Sequence, residues 1–152
     1  MANALQLDQF LCFSVYLAGH SFNQFYRPLL EEIGLTYPQY LAMVSLWSRD
    51  DQTVREIGKA LSLESNTLTP LLKRLEALAL VSRTRDPKDE RQVRIRLTDK
   101  GRELRKQAEH IPACVVEALG LSQKELDDLH RTMLLVQKRL QESTEKPSPS
   151  GV

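Results

Sequence analysis

Cysteine is scarce in this chain: Cys12 and Cys114 are the only two in 152 residues, too few for the staples of a disulfide-rich scaffold. In a reducing compartment a bond between them would be transient and redox-linked rather than structural. Net charge is nearly absent as well, at +1, so any pull on nucleic acid must be local rather than global. No apolar run approaches the roughly 20 residues of a spanning helix, and "MANALQLDQF" lacks the basic and apolar regions of a signal peptide. A cytoplasmic protein that does not engage membranes is expected. His20, His110 and His130 are scattered, with no Cys/His spacing suited to a metal. Without a Gly-rich phosphate loop or a carboxylate pair in a catalytic setting, the sequence argues against an enzyme, and no cofactor is expected.

What remains is an ordinary globular composition, 41% hydrophobic and 27% charged, of a size suited to one domain. Leu7, Phe10, Leu11, Phe25 and Leu29 fall at roughly helical spacing and predict one long helix over about 5–32, stopped before Gly34. "TYPQ" offers Thr36 as N-cap and Gln39 as the return half of a capping box, opening a helix to about Ser48. "TVRE" at 53–56 repeats that device for a short helix carrying Ile57, Ala60 and Leu61. After a tight connection, Leu68, Leu71, Leu72, Leu75 and Leu78 line one face of a helix from Ser65. The pair is a helix-turn-helix candidate.

"LVSRTR" and "QVRIRL" have strand character and flank the polar "DPKDER", which predicts a β-hairpin with a charged tip. Thr98 caps a further helix running to about Leu119, interrupted at Pro112. "SQKE" at 122–125 opens a last helix to about Glu142, with Leu126, Leu129, Met133, Val136 and Leu140 as its buried stripe. The Pro/Ser-rich residues 143–152 read as a disordered tail. The organisation expected is a single domain over 1–142: a winged helix at about 36–98, and dimerisation helices at about 5–32 and 99–142.

Charge is distributed to match. Between Arg55 and Arg105 thirteen Lys and Arg face eight acids, a local excess of five positive charges. A helix-turn-helix followed by a basic hairpin is the layout of a winged helix, in which one helix enters the major groove while the wing reaches a minor groove. Ser65, Asn66, Thr67 and Thr69 are short donors and acceptors at the entering end, Lys73 and Arg74 reach phosphates or base edges, and Arg91 suits a narrow, electronegative minor groove. A merely solvated basic face is the plain alternative. One recognition helix reads few base pairs, so a homodimer on a pseudo-palindromic duplex operator is expected.

"LCFSVYLAGHSFNQFY" mixes a thiol with phenols, which a core does not require. Tyr16 lies four residues beyond Cys12, on the same helix face. Tyr26 lies fourteen residues beyond, roughly 21 Å along a continuous helix, so it is either unrelated to Cys12 or arrives from a second chain running the other way. Cys12 could equally be a small buried hydrophobe among ordinary interface tyrosines.

Essentially the whole chain to about residue 142, and above all "LSLESNTLTPLLKRLEALALVSRTRDPKDERQVRIRLTDKG" with its "DER" and "LTDKG", resembles the MarR-type winged-helix regulators. "LCFSVYLAGHSFNQFYRPLLEEIGLTYPQY" resembles more narrowly the OhrR-type branch, homodimeric repressors that leave their operator when an N-terminal cysteine is oxidised by organic hydroperoxide. The resemblance implies a reactive thiol at Cys12, phenolic partners at Tyr16, Tyr26 and Tyr37, a recognition helix at about Ser65 to Ala79, and a minor-groove arginine at Arg91 oriented by Asp89. It selects the two-chain arrangement, with Tyr26 and Tyr37 of one subunit meeting Cys12 of the other. Members with a second cysteine imply Cys114 as the resolving thiol across the dimer; capping by bacillithiol or glutathione is the competing outcome. Two other functions stay open: a MarR-type repressor controlled by a small aromatic ligand with Cys12 structural, and a redox protein that consumes peroxide.

Overall fold

The computed structural model describes residues 6–145. They form two compact units, one ending at Glu109 and the other beginning at His110. The expected class, mainly helical with a small β-hairpin wing on a helix-turn-helix, is the architecture found.

In the first unit a single 3₁₀ turn, Leu7–Gln9, precedes α1, Leu11–Glu31. The one long helix expected from residue 5 therefore starts later, because Phe10 is extended and separates turn from helix; residue 5 itself lies outside the described residues. Gly34, at φ 71°, turns the chain toward α2, Tyr37–Ser48. The Thr36 hydroxyl accepts from the Gln39 N–H, and the Gln39 side chain accepts from the Thr36 N–H at 3.0 Å, the capping box read from "TYPQ". The same exchange between Thr53 and Glu56 opens α3, Val54–Leu61. Ser62 then takes a left-handed conformation, and Leu63 N–H returns to the Gly58 carbonyl at 2.9 Å. A side chain at Gly58 would crowd the Leu63 carbonyl and Leu68, so this glycine keeps the turn into α4 tight.

The recognition-helix candidate, α4, spans Ser65–Ala77. It ends two residues before the expected Ala79 because Ala79 sits at φ 59°, and Leu78, expected in the buried stripe, is left 40% exposed. Leu68, Leu72 and Leu75 are fully buried with Ile57, Met43 and Ile95. Burying each such side chain contributes about 1.5–3 kcal/mol. Strand β2, Val81–Arg85, pairs antiparallel with β3, Val93–Leu97, with Arg83 opposite Ile95. A strand the sequence did not announce, β1 at Gln52–Thr53, adds to the other edge of β3. Two polar residues carry no alternating pattern, so only the tertiary setting makes them a strand.

Helix α5, Asp99–Ala108, opens on Thr98, whose hydroxyl accepts from Gly101 N–H at 3.0 Å. It does not run on to Leu119. In the second unit α6, Ile111–Leu119, is a separate helix with Pro112 in its first turn, where the missing N–H costs nothing. Gly120, at φ 61°, closes α6, and a Ser122–Glu125 exchange opens α7, Gln123–Glu145. Residues 143–145, expected in a disordered tail, are therefore helical, while 146–152 lie outside the described residues. Among the described residues nothing covers the stripe expected to be buried on α7: Leu129, Met133 and Leu140 are exposed and Leu126 and Val136 half-buried. Among the described residues no helix is long and apolar enough to cross a membrane.

Candidate nucleic-acid interface and thiol site

The leucine stripe of α4 fixes which side faces outward. Ser65, Asn66, Thr67, Lys73 and Arg74 are exposed and Thr69 is half-buried, so the expected reading residues share the face opposite Leu68, Leu72 and Leu75. No side chain caps the start of α4; the Thr67 and Leu68 N–H groups both donate to the Glu64 carbonyl, at 3.0 Å.

The wing is held from its base. Asp86, nearly buried, accepts from the N–H groups of Lys88 (2.7 Å) and Asp89 (3.4 Å), forming the bend at the loop. Arg94 ties that residue to the sheet edge: its guanidinium donates to Asp86 Oδ2, to Asp51 Oδ1 and to the Asp51 carbonyl, each at 2.8 Å. Asp51, at φ 57°, also receives Arg96 Nε at 3.0 Å. Hydrogen bonding from Arg94 holds the Asp51 and Asp86 carboxyls below their usual range. Arg94 and Arg96, counted in the basic excess, are thus engaged by acids. Arg91 differs: its side chain is 91% exposed, and Asp89 Oδ1 accepts from both its N–H (3.2 Å) and its Nε (3.1 Å). The acid aims the arginine without covering it.

Between α3, α4 and the wing lies a hollow of about 920 Å³, lined by Arg55, Lys59, Ser65, Thr69, Arg83 and Arg91 among others. Arg83 Nε is buried without a hydrogen-bond partner, its nearest acid oxygen, on Glu76, being 3.9 Å away. Arg55, Lys59 and Arg83 were not singled out as site residues in the sequence; their convergence comes from two elements, α3 and β2, more than twenty residues apart in sequence.

Cys12 is the second residue of α1 and exposed, as is Tyr16 one turn later. Tyr26 and Tyr37 do come together, ring centroids 4.6 Å apart, α1 packing on α2. They do not meet Cys12 of their own chain, because α1 is continuous from Leu11 to Glu31 and fourteen residues of helix span roughly 21 Å. Burial pushes the Tyr26 phenol up to about 12, with Tyr37 and Tyr40 adding to the shift, and burial raises Tyr37 as well. Both are neutral O–H donors at physiological pH. Tyr40, which the sequence reading passed over, is buried 5.9 Å from Tyr26 and has its own phenol raised by burial. Its spacing of three from Tyr37 was the available signal. Cys114 is half-buried on α6 in the second unit, and both thiols are free.

Residues 24–108 match the model of a family described as transcriptional regulator SarA/Rot. The chain is 53% identical over 116 residues to the HTH-type transcriptional regulator TtmR of Methylorubrum extorquens (strain PA1), covering 76% of this chain but only 60% of that protein. It is 42% identical over 125 residues to the organic hydroperoxide resistance transcriptional regulator of Bacillus subtilis (strain 168), covering 82% and 83%. Among solved structures, reduced AbfR bound to DNA is 39% identical with a TM-score of 0.76, covering 90% of this chain and 93% of that one. A disulfide-formed AbfR is similar over 83% and 88%, at 40% identity and a TM-score of 0.63.

Proposed function

Because the chain belongs to the SarA/Rot family of MarR-type transcriptional regulators, and is a regulator rather than an enzyme, we propose that it is a cytoplasmic repressor that releases its operator when Cys12 is oxidised by organic hydroperoxide. The observation that carries this reading is the pair of neutral phenols, Tyr26 and Tyr37, with ring centroids 4.6 Å apart, Tyr26 lying roughly 21 Å along α1 from the exposed Cys12 and Tyr37 beside it on α2. The spacing fits a site assembled from two antiparallel copies.

In the reduced homodimer two α4 helices engage successive major grooves of a pseudo-palindromic duplex, with Ser65, Asn66, Thr67 and Thr69 at base edges and sugar-phosphate and Lys73 and Arg74 on phosphates or bases. Arg91, held by Asp89, enters the flanking minor groove. The DNA-bound state of AbfR supports a duplex as partner. The exposed stripe of α7 supports a second copy of this chain, since an apolar face of that length is otherwise left in water.

At the sensor, the partner's phenols donate to the sulfur of Cys12, with Tyr16 beside it, favouring the thiolate that attacks the peroxide. The S–O bond forms as O–O breaks; the hydroperoxide is reduced to its alcohol, which takes up one proton, and the cysteine becomes a sulfenic acid. Cys114 of the other subunit then displaces the hydroxyl as water, leaving an intersubunit disulfide. The disulfide-formed AbfR supports such an oxidised end state.

The test is a titration of the full chain onto duplexes that its reduced form selects from a random-sequence pool, before and after cumene hydroperoxide, for wild type and Cys12→Ser. Wild type is expected to lose affinity on oxidation and Cys12→Ser to retain it. Equal release by both proteins would show that Cys12 does not gate binding. Release by a small aromatic acid alone, without thiol loss, would favour ligand control instead.

A further inference from the structure

Beyond Tyr26 and Tyr37 the aromatic side chains continue in a line. Tyr40 packs on Tyr26, and Trp47 meets Tyr40 edge-on, ring centroids 6.3 Å apart at 68°. Trp47 Nε1 donates to the Gly101 carbonyl of α5 at 2.8 Å, across 54 residues of sequence. Gly101 is itself pinned: a Cβ there would collide with the Leu80 carbonyl, so no other residue lets α5 approach so closely. Around it, Thr98 N–H donates to the Leu80 carbonyl (3.1 Å), the Thr98 hydroxyl to the Ala79 carbonyl (2.6 Å), and Lys100 Nζ to the Leu78 carbonyl (2.9 Å). Residues 78–80 are where α4 ends and the chain turns into β2. The line from Tyr37 to Leu80 lies wholly within the first compact unit.

We propose that Tyr40 and Trp47 are positioning residues that couple the phenol pair to the recognition helix and the wing. This rests on the oxidation switch above. When sulfur chemistry pulls Tyr26 or Tyr37 from its seat, the Tyr40 ring must follow, because packed rings leave no void to absorb the change. The Tyr40 shift moves Trp47 and breaks its bond to the Gly101 carbonyl, exposing the indole to water. Release frees the start of α5 from α2, and residues 78–80 move with it, changing the angle between α4 and the wing. Leu46 and Met43, fully buried on α2, hold the rest of the core in place, so the adjustment is confined to the aromatic edge of that helix.

Trp47 is the sole tryptophan of the sequence, so its emission reports this bond directly. The experiment follows tryptophan emission, thiol consumption and duplex binding on the full chain treated with tert-butyl hydroperoxide, using the selected duplexes. In wild type, emission is expected to shift to longer wavelength together with loss of DNA, and in Cys12→Ser neither should change. Tyr40→Leu and Trp47→Phe should consume the thiol at the wild-type rate, yet show about a tenfold smaller change in duplex Kd between reduced and oxidised forms. Trp47→Phe keeps an aromatic ring against Tyr40 while removing the indole N–H along with some volume, so it decides the matter even if Tyr40→Leu fails to fold. Wild type releasing DNA with unchanged emission, or both variants keeping the full oxidised-to-reduced ratio, overturns the coupling while leaving the oxidation switch standing. Wild type that stays on DNA after its thiol is consumed overturns both.

Discussion

The α2-to-β3 segment and the α7 helix use leucine at the same helical spacing, and to opposite ends. In the first, Leu68, Leu72 and Leu75 are sealed beneath α3 and the sheet; in the second, Leu129, Met133 and Leu140 of a similar stripe stand in solvent. One region is complete in a single chain, with capping boxes at Thr36 and Thr53, a tight turn at Gly58 and acids matched to Arg94. The other is an amphipathic helix lacking its cover. The difference teaches that one stretch of sequence can close its own core while another, equally periodic, presents an apolar face that the described residues do not cover.

The sharpest way to break this contrast is to cut the same group from both regions. Leu72→Ala should cost about 2–5 kcal/mol of unfolding free energy in urea, independent of protein concentration. Leu140→Ala should cost far less at low concentration, with its effect growing as the proposed dimer forms. If the two behave alike, the contrast between a complete head and an incomplete helix is wrong. Next in size, Met133→Glu should dissociate the proposed dimer in sedimentation velocity, since a charge on the stripe must be desolvated for two copies to close. Its head should keep its thermal transition.

Arg91→Ala probes the head's outermost contact. It should weaken duplex binding by about tenfold and lower the slope of log affinity against log salt by about one per subunit, with Cys12 reactivity unchanged. Normal binding at moderate salt would contradict the wing assignment.

The smallest effects are titrations. Tyr26 is raised from 10.0 to about 12 in the fold, so above pH 10 the unfolded chain loses a proton that the folded one keeps. Its contribution is complete below pH 10 and declines as pH rises toward 12; Tyr26→Phe should show less alkaline destabilisation. Asp51 and Asp86 run the other way. Their carboxyls are lowered from 3.8 by Arg94, so their contribution is present above that value and is lost as pH falls below it. Arg94→Gln should flatten that acid limb of the stability curve.

Sequence made legible whatever is encoded locally. The capping pairs Thr36/Gln39, Thr53/Glu56 and Ser122/Glu125 fixed three helix starts, and the polar DPKDER tip separated two strands. It was silent where the cause lies far along the chain. Strand β1 exists because β3 offers it an edge, and Asp51 is bound to Arg94 across 43 residues. Trp47 reaches Gly101 across a still longer interval. The α7 stripe stays exposed in the single chain because periodicity shows which face is apolar, not what covers it. Of the residues proposed for the sensor, Tyr26 and Tyr37 meet in one copy, and Cys12 lies far along α1 from both, which is why the proposed site calls on a second chain.

The most direct measurement therefore mixes two variants in one dimer: Cys12→Ser with both tyrosines intact, and the double substitution Tyr26→Phe with Tyr37→Phe with Cys12 intact. A site built across the subunits predicts that the heterodimer's one remaining Cys12 reacts with cumene hydroperoxide at the wild-type rate, while the doubly phenylalanine-substituted homodimer reacts slowly. A heterodimer as slow as that homodimer would contradict the assembly of the sensor from two chains.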